Sequence, residues 1–454
     1  MKIGFVSLGC SKNQLDTEVM LHELLSAGYE ITPDETEADI VIINTCAFIE
    51  SAKKEAIDNI LDIAWLKKHR SLQGIIVTGC LSERYREEIL AELPEVDALL
   101  GVGSIHNIVE AVEGVLARRK NKRLPKYTSF EDKNTVRLGG DRVLTTPEFY
   151  SHLKIAEGCD NCCTYCAIPS IRGRFRSRPM EDLVAEAKQL EALGVRELNI
   201  IAQDVTRYGL DLYGKYALAE LLRKITAETE IPWIRLLYCY PDKMTDELIA
   251  EIRDNPRVVK YVDMPLQHVS SSVLRRMNRH GDGDTVRGVV AKLRKEIPTL
   301  TLRTTFIVGF PGETDADFEE LSLFVDEAKF DRMGVFTYSA EEGTPAATMD
   351  GQIDEQIKQD RMDILMRQQM AISAAANEKK IGTTVRVLVE DFDPVSEAHF
   401  GRSAADAPDI DGKVYFKADC RIAPGSMIDV KVREVLDYDL YGRAVMASYT
   451  KQGE

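Results

Sequence analysis

The chain has 454 residues, 44% hydrophobic and 29% charged, with a formal net charge of -16. That length exceeds what one ordinary core supports and predicts roughly two to four folding units. No apolar run approaches a bilayer span, and the acidic balance disfavours a protein that coats nucleic acid through a broad basic surface, while suiting a basic partner.

The opening MKIGFVSLGC reads as a buried strand, not as a charged segment followed by a long apolar stretch and a cleavage site, so no export is expected and the predicted location is cytoplasmic. Strand and helix signals then alternate: IGFVSLGC, a helical DTEVMLHELLSAG, ADIVIINTC, a helical SAKKEAIDNILDIAWLKKH, and QGIIVTGC. Short Ile/Val runs between amphipathic stretches predict a parallel sheet covered on both faces. After Gly114, the run Arg118, Arg119, Lys120, Lys122 and Arg123 opens a polar stretch that reads as a solvated linker to about Pro147.

A second βα series begins at Tyr150 with HLKIAEGC and continues through MEDLVAEAKQLEALG, ELNIIAQD, ALAELLRKIT, WIRLLYCYP, DELIAEIRDN, YVDMPLQH, TLRTTFIVGFPG and RMGVFTYS. About six strands with intervening helices predict a partial or full βα barrel, whose chemistry belongs at the strand carboxyl ends. A long helical stretch, DEQIKQDRMDILMRQQMAISAAANEKK, closes this part. Beyond Gly382, TVRVLVEDF, KVYFKAD, MIDVKVREV and GRAVMASY alternate with period two and no helix intervenes. They predict a small all-β barrel of the kind that binds nucleic acid or polypeptide. From Lys380 to Glu454 there are 10 Lys/Arg against 13 Asp/Glu, so a basic groove that tracks phosphates is not expected.

Nine cysteines in a non-secreted chain point to metal ligands, reactive thiols or small core residues ahead of a disulfide framework. In EGCDNCCTYCAIP, Cys159, Cys163 and Cys166 have C-x3-C-x2-C spacing directly after the first barrel strand. Three thiolates on one iron–sulfur cube leave the fourth iron open to a ligand with an amine and a carboxylate, such as S-adenosylmethionine. An electron passed into the sulfonium then releases a deoxyadenosyl radical able to attack unactivated C–H bonds. Cys162 also permits a closed four-ligand zinc or electron-transfer site, but the strand-end position favours an open catalytic site with Cys162 as a bystander. Cys10, Cys46 and Cys80 each end one strand of the first series, 36 and 34 residues apart. Parallel strands bring their carboxyl ends to one edge, so three thiols that would singly read as core residues form a candidate second cluster site.

The C-x3-C-x2-C loop resembles the radical S-adenosylmethionine superfamily motif, and IVGFPGET (Ile307 to Thr314) resembles that superfamily's later glycine strand. The likeness implies Tyr165, Ile168, Gln203, Arg303, Ile307 and Gly309 as cofactor contacts, any of which could instead fill the core. The whole pattern resembles the radical SAM methylthiotransferase family. It implies an α/β chain with an N-terminal methylthiotransferase domain over 1–117, a linker over 118–144, a radical SAM core with a TIM-like βα barrel over 145–376, and an OB-like TRAM β barrel over 379–447. Within the family, SLGCSKNQLDTEVM and NTCAFIESAKKEAID are similar to the branch that methylthiolates an aspartate of ribosomal protein S-twelve. The tRNA-modifying branch usually carries a GCQMN-type sequence at the first cysteine, where this chain reads GCSKN.

The resemblance implies two 4Fe-4S clusters, held by Cys10, Cys46 and Cys80 and by Cys159, Cys163 and Cys166, with S-adenosylmethionine as cofactor. The implied order is methyl transfer to sulfur at the first cluster, hydrogen abstraction from the aspartate β-carbon, then carbon–sulfur coupling. Implied partners are ribosomal protein S-twelve or the small ribosomal subunit, a flavodoxin- or ferredoxin-type electron donor and a sulfur source, with no membrane; no acid–base catalytic residue is assigned. Two rival readings stay open: methylthiolation of a tRNA adenosine, and a non-catalytic iron–sulfur binding module. Arg172, Arg174, Arg176 and Arg178 alternate, so an extended chain would line them along one side to hold carboxylates or to guard a strand edge. Gln267 and His268 are expected at a strand end, His268 more as hydrogen-bonded structure than as catalyst. Cys239 and Cys420 read as structural.

Overall fold

The computed structural model describes residues 1–445 and divides into two compact units. One comprises residues 1–145, 156–178 and 339–347; the other comprises 146–155, 179–338 and the chain from 348 on.

The first unit is built on a parallel sheet of β1 (Lys2–Ser7), β2 (Glu30–Thr32), β3 (Ile40–Thr45), β4 (Gly74–Gly79), β5 (Ala98–Leu100) and β6 (Tyr127–Ser129), in the order β2-β1-β3-β4-β5-β6. Side chains alternate across it. Val41 and Ile43 pack with Ile75 and Val77 under Ala56, Ile60 and Ile63 of helix Glu50–His69. Ile40 and Ile42 face the other way, onto Met20 and Leu24 of helix Ser11–Ser26 and onto Ala111, Val112 and Val115 of helix Ile108–Lys120. Both faces are therefore covered, as the paired Ile/Val runs require.

One expectation is corrected. Arg118, Arg119 and Lys120 form the last turn of helix Ile108–Lys120, where cations complement the carbonyl end of the helix dipole, and Tyr127–Ser129 then adds the sixth strand. A helix that ends in basic residues is indistinguishable by composition from a charged linker. After β7 (Tyr150–Lys154), which belongs to the second unit, the first unit resumes with the antiparallel pair β8 (Ala156–Glu157) and β9 (Arg176–Ser177), which brackets the second cysteine loop.

In the second unit β7 joins β10 (Glu197–Ile201), β11 (Trp233–Leu236), β12 (Val258–Asp263), β13 (Thr301–Val308) and β14 (Arg332–Thr337) in a parallel sheet ordered β14-β13-β12-β11-β10-β7. Of the two expected forms this is the partial barrel. Each βα step moves one strand in the same direction, through helices such as Met180–Ala192, Leu218–Glu228 and Asp246–Asp254. Helix Glu355–Glu378 leads into a closed barrel of β15 (Thr384–Asp393), β16 (Ala398–Ser403), β17 (Val414–Lys417), β18 (Met427–Leu436) and β19 (Asp439–Ala444). Strand β16, AHFGRS, carries no apolar alternation and has no strand signal in the sequence. The second half of GRAVMASY and the expected boundary at 447 lie outside the described residues.

Buried charges join the closed barrel to the parallel sheet within this unit. Glu197 accepts from Arg235 at 2.7 Å and pairs with Arg402 at 2.6 Å, Tyr261 donates to Asp411 at 2.7 Å, and Arg332 donates to Asp406 at 2.6 Å. Among the described residues no helix is long and apolar enough to cross a membrane.

Candidate functional site

β1, β3 and β4 are neighbours in one parallel sheet, in register from Ser7 with Asn44 and from Thr45 with Gly79. Their chain continuations therefore deliver Cys10, Cys46 and Cys80 to a single sheet edge. Cys10 precedes helix Ser11–Ser26 as its N-cap, and Cys80 is the first residue of helix Cys80–Tyr85. Gly9 has φ +90, and a Cβ there would lie 2.8 Å from Cys46 Cβ and 3.1 Å from its sulfur. Gly79 has φ +94, and its Cβ would lie 2.3 Å from Asn44 Oδ1. Asn13 ties the turns together by donating to Leu8 O at 2.7 Å and Thr45 O at 3.4 Å, and Asn44 donates to Asn13 O at 2.8 Å.

The thiols feel one another. Burial pushes Cys80 up to about 12 despite the Arg172 charge, and charge on Cys10 and Cys46 adds to the rise. Burial also raises Cys46, against the amide N–H of Phe48. Cys10 is exposed as a residue, yet its sulfur is packed closely enough that burial would raise it; Lys12, Arg172 and the backbone N–H groups of Asn13 and Lys12 outweigh that and hold it below the ordinary thiol value.

The second loop lies between β8 and β9 in the same unit. Gly158 (φ +77) turns the chain where a Cβ would lie 2.1 Å from Arg174 O, and Cys159 N–H donates to Gly173 O at 3.1 Å. Cys163 is buried, Cys159 and Cys166 are half-buried, and the Ile168 N–H donates to Cys166 Sγ at 3.4 Å. Cys162 takes φ +49 and is exposed.

Among the described residues no three of His, Cys, Asp and Glu stand close enough to hold a single metal ion. A cubane cluster asks for something different, since each thiolate binds a separate iron. The first set fits that demand with three thiols brought to one sheet edge, near the Lys12 charge and with Arg172 donating to the Cys80 sulfur. The second fits it with three thiols on one tight loop and an amide already donating to sulfur.

The alternating arginines do not line one strand. Arg172 ends helix Ile168–Arg172, Gly173 (φ +78) turns the chain, and only Arg176 enters β9, where its guanidinium donates to Val136 O at 2.7 Å and Lys133 O at 2.5 Å. Pro169 inside the helix start and Gly173 past its end are the sequence signal for this break. Arg172 is buried and donates to Asp16 Oδ2 at 2.6 Å, Asn13 Oδ1 at 3.0 Å and Cys80 Sγ at 3.5 Å, with Glu157 Oε2 at 3.5 Å. Asp16, Asn13 and Cys80 lie far from Arg172 along the chain, and no motif in the sequence links them to it.

Of the expected cofactor contacts, Tyr165 and Ile168 belong to the first unit, beside the cysteines. Gln203, Arg303, Ile307 and Gly309 belong to the second. Gln203 follows β10, and Arg303 and Ile307 share one face of β13, with Arg303 donating to Asp263 Oδ1 at 2.9 Å. Gly309 has φ +72, and a Cβ there would lie 2.2 Å from Lys358 Cγ.

Gln267 and His268 come after the end of β12. Gln267, at φ +72, bridges to Phe306 of β13. His268 is fully buried: its Nδ1 accepts from Ser270 N–H at 3.0 Å, and its Nε2 stands 3.9 Å from Glu313 Oε2. Burial lowers His268 to about 3 and raises Glu313 to about 7, the latter against the pull of Arg361 at 2.8 Å. Cys239 is buried and Cys420 exposed.

Three family models match the chain: Uncharacterized protein family UPF0004 over residues 2–101, the Radical SAM superfamily over 153–325, and a TRAM domain over 381–445. Similar curated proteins include the ribosomal protein uS12 methylthiotransferase RimO of Desulforamulus reducens, 49% identical over 97% of this chain and 98% of that protein. That of Thermoanaerobacter sp. is 48% identical over 97% and 99%, and that of Geobacter sulfurreducens 49% over 98% and 98%. Among solved structures, the radical S-adenosylmethionine methyltransferase TsrM from Kitasatospora setae aligns with a TM-score of 0.55 at 14% identity, over 74% of this chain and 72% of that one. At that identity the likeness concerns the fold.

Proposed function

The chain belongs to the RimO family of ribosomal protein uS12 methylthiotransferases, and from that premise we propose which of its residues carry the reaction. It is a radical SAM enzyme that methylthiolates ribosomal protein uS12, with S-adenosylmethionine and 4Fe-4S clusters as cofactors. In our reading, Cys159, Cys163 and Cys166 hold the cluster that engages S-adenosylmethionine, and Cys10, Cys46 and Cys80 hold the one that carries sulfur. Bound there, the cofactors supply the one-electron chemistry and the methylthio group that replace a hydrogen on an aspartate β-carbon, a position no side-chain base or nucleophile readily activates.

The observation that carries this reading is the delivery of three thiols from adjacent parallel strands to one edge, in the same compact unit as the C-x3-C-x2-C loop. Two three-thiol sets divide the labour, one for radical generation and one for sulfur. The chain's own part is to hold six sulfurs, to offset their charge with Lys12 and Arg172, and to form cofactor contacts from Tyr165, Ile168, Gln203, Arg303, Ile307 and Gly309. The electron donor is of flavodoxin or ferredoxin type, a separate sulfur source reloads the first cluster, and uS12 is met free or within the small ribosomal subunit.

Mass spectrometry of uS12 after anaerobic reaction with reconstituted enzyme, reductant, sulfide and S-adenosylmethionine tests the assignment. Cys10→Ala, Cys46→Ala or Cys80→Ala should abolish the methylthio gain while 5′-deoxyadenosine still forms, whereas Cys159→Ala, Cys163→Ala or Cys166→Ala should abolish both. Loss of S-adenosylmethionine cleavage in the first group of variants, or its survival in the second, would reverse the roles.

A further inference from the structure

Arg172 belongs to the second cysteine loop by sequence and to the first cysteine group by contact. It stands six residues after Cys166 and closes the short helix that follows that loop. It is 3% exposed, and its guanidinium reaches the Cys80 sulfur at 3.5 Å. Its carboxylate partners come from both sides: Asp16 from the helix that Cys10 caps, and Glu157 from the strand two residues before Cys159. Asn13, the fourth contact, is the residue that ties the Cys10 turn to Thr45, just before Cys46.

A planar guanidinium presents its donors in a rigid fork, so one arginine can satisfy two carboxylates, an amide and a sulfur only if all four are already in place. Burying that much charge is costly unless every partner is met, and a general surface role would not require it. We propose that Arg172 is a positioning residue that joins the two cysteine groups, lending a hydrogen bond and positive charge to the Cys80 sulfur while Asp16 and Glu157 hold it in register. The inference rests on the assignment of Cys10, Cys46 and Cys80 as ligands of one cluster. It adds that this cluster's electronic character is set in part from the second loop, because a cation donated to a ligand sulfur favours the form carrying one more electron.

The full chain with Cys159, Cys163 and Cys166 all replaced by Ala leaves only the first group able to hold iron, and serves as the parent. Its iron and sulfide content is measured after reconstitution, and its midpoint potential for one-electron reduction is followed by electron paramagnetic resonance. In this parent, Arg172→Gln should lower the potential, Arg172→Lys should return it toward the parent value by restoring the charge, and Glu157→Gln should raise it by removing an opposing anion. If Arg172→Gln does not fold, the sign of the Glu157→Gln shift decides. A parent that takes up no cluster overturns the ligand assignment and this inference with it. A normal parent cluster whose potential is unmoved by Arg172→Gln, or by Glu157→Gln where that variant decides, overturns the role of Arg172 alone.

Discussion

Gly9 lets the turn before Cys10 pass close against Cys46. Its φ of +90 is open to glycine at little cost, and a Cβ would press on both carbon and sulfur of Cys46. Gly9→Ala should therefore displace the Cys10 turn at a strain cost of about 1–3 kcal/mol, and, on the proposed ligand assignment, iron per reconstituted chain should fall toward that of a one-cluster protein while the cluster proposed at Cys159, Cys163 and Cys166 keeps its spectrum. His268 acts through stability. Its folded pKa of about 3 lies below the ordinary 6.5 because burial disfavours the imidazolium. Between those values the unfolded chain takes up a proton that the folded chain refuses, so the folded state loses stability as pH falls from 6.5 toward 3, and His268 contributes no slope above 6.5. In urea titrations across that range, His268→Gln should be the less stable protein at pH 7, and the gap from wild type should narrow steadily on acidification.

Strands and helices carry the chemistry by where they end. β3 and β4 run directly into a candidate ligand and β1 reaches one three residues on, and the helices that start at Ser11 and Cys80 have their N-termini at that same edge. The closed barrel is held to the parallel sheet of its own unit by charge: Glu197 sits between Arg235 and Arg402, and burial that would raise its pKa is outweighed by those two cations. Arg402 also pairs with Glu390 at 2.5 Å across β15 and β16. Removing one partner of such a set strands a buried charge, so Arg402→Ala should cost about 3–5 kcal/mol, read as a lower denaturant midpoint. An unchanged midpoint would mean that solvent reaches Glu197 in the folded protein.

At the scale of the whole chain, a buried ion pair such as Arg332 with Asp406 cancels one charge of each sign and leaves the net -16 untouched. That acidic excess suits a basic protein substrate better than a polyanion. Much of this was legible from residues alone: the three-part order of sheet, partial barrel and closed barrel follows from the period of apolar residues, and the six candidate cysteines stand out by spacing and by their places after strands. Other features were not. A basic helix end passed for a linker at Arg118–Lys120, and β16 went unseen because its pairing is made by backbone and its side chains follow no period. Four alternating arginines suggested one strand until Gly173 turned the chain between them. Local periodicity and turn chemistry act between near neighbours, so the order of residues is enough to show which types recur at which intervals. Tertiary structure alone decided that Arg172 meets Cys80, Asp16 and Glu157, because burial and charge pairing join residues up to 156 positions apart and leave no local trace.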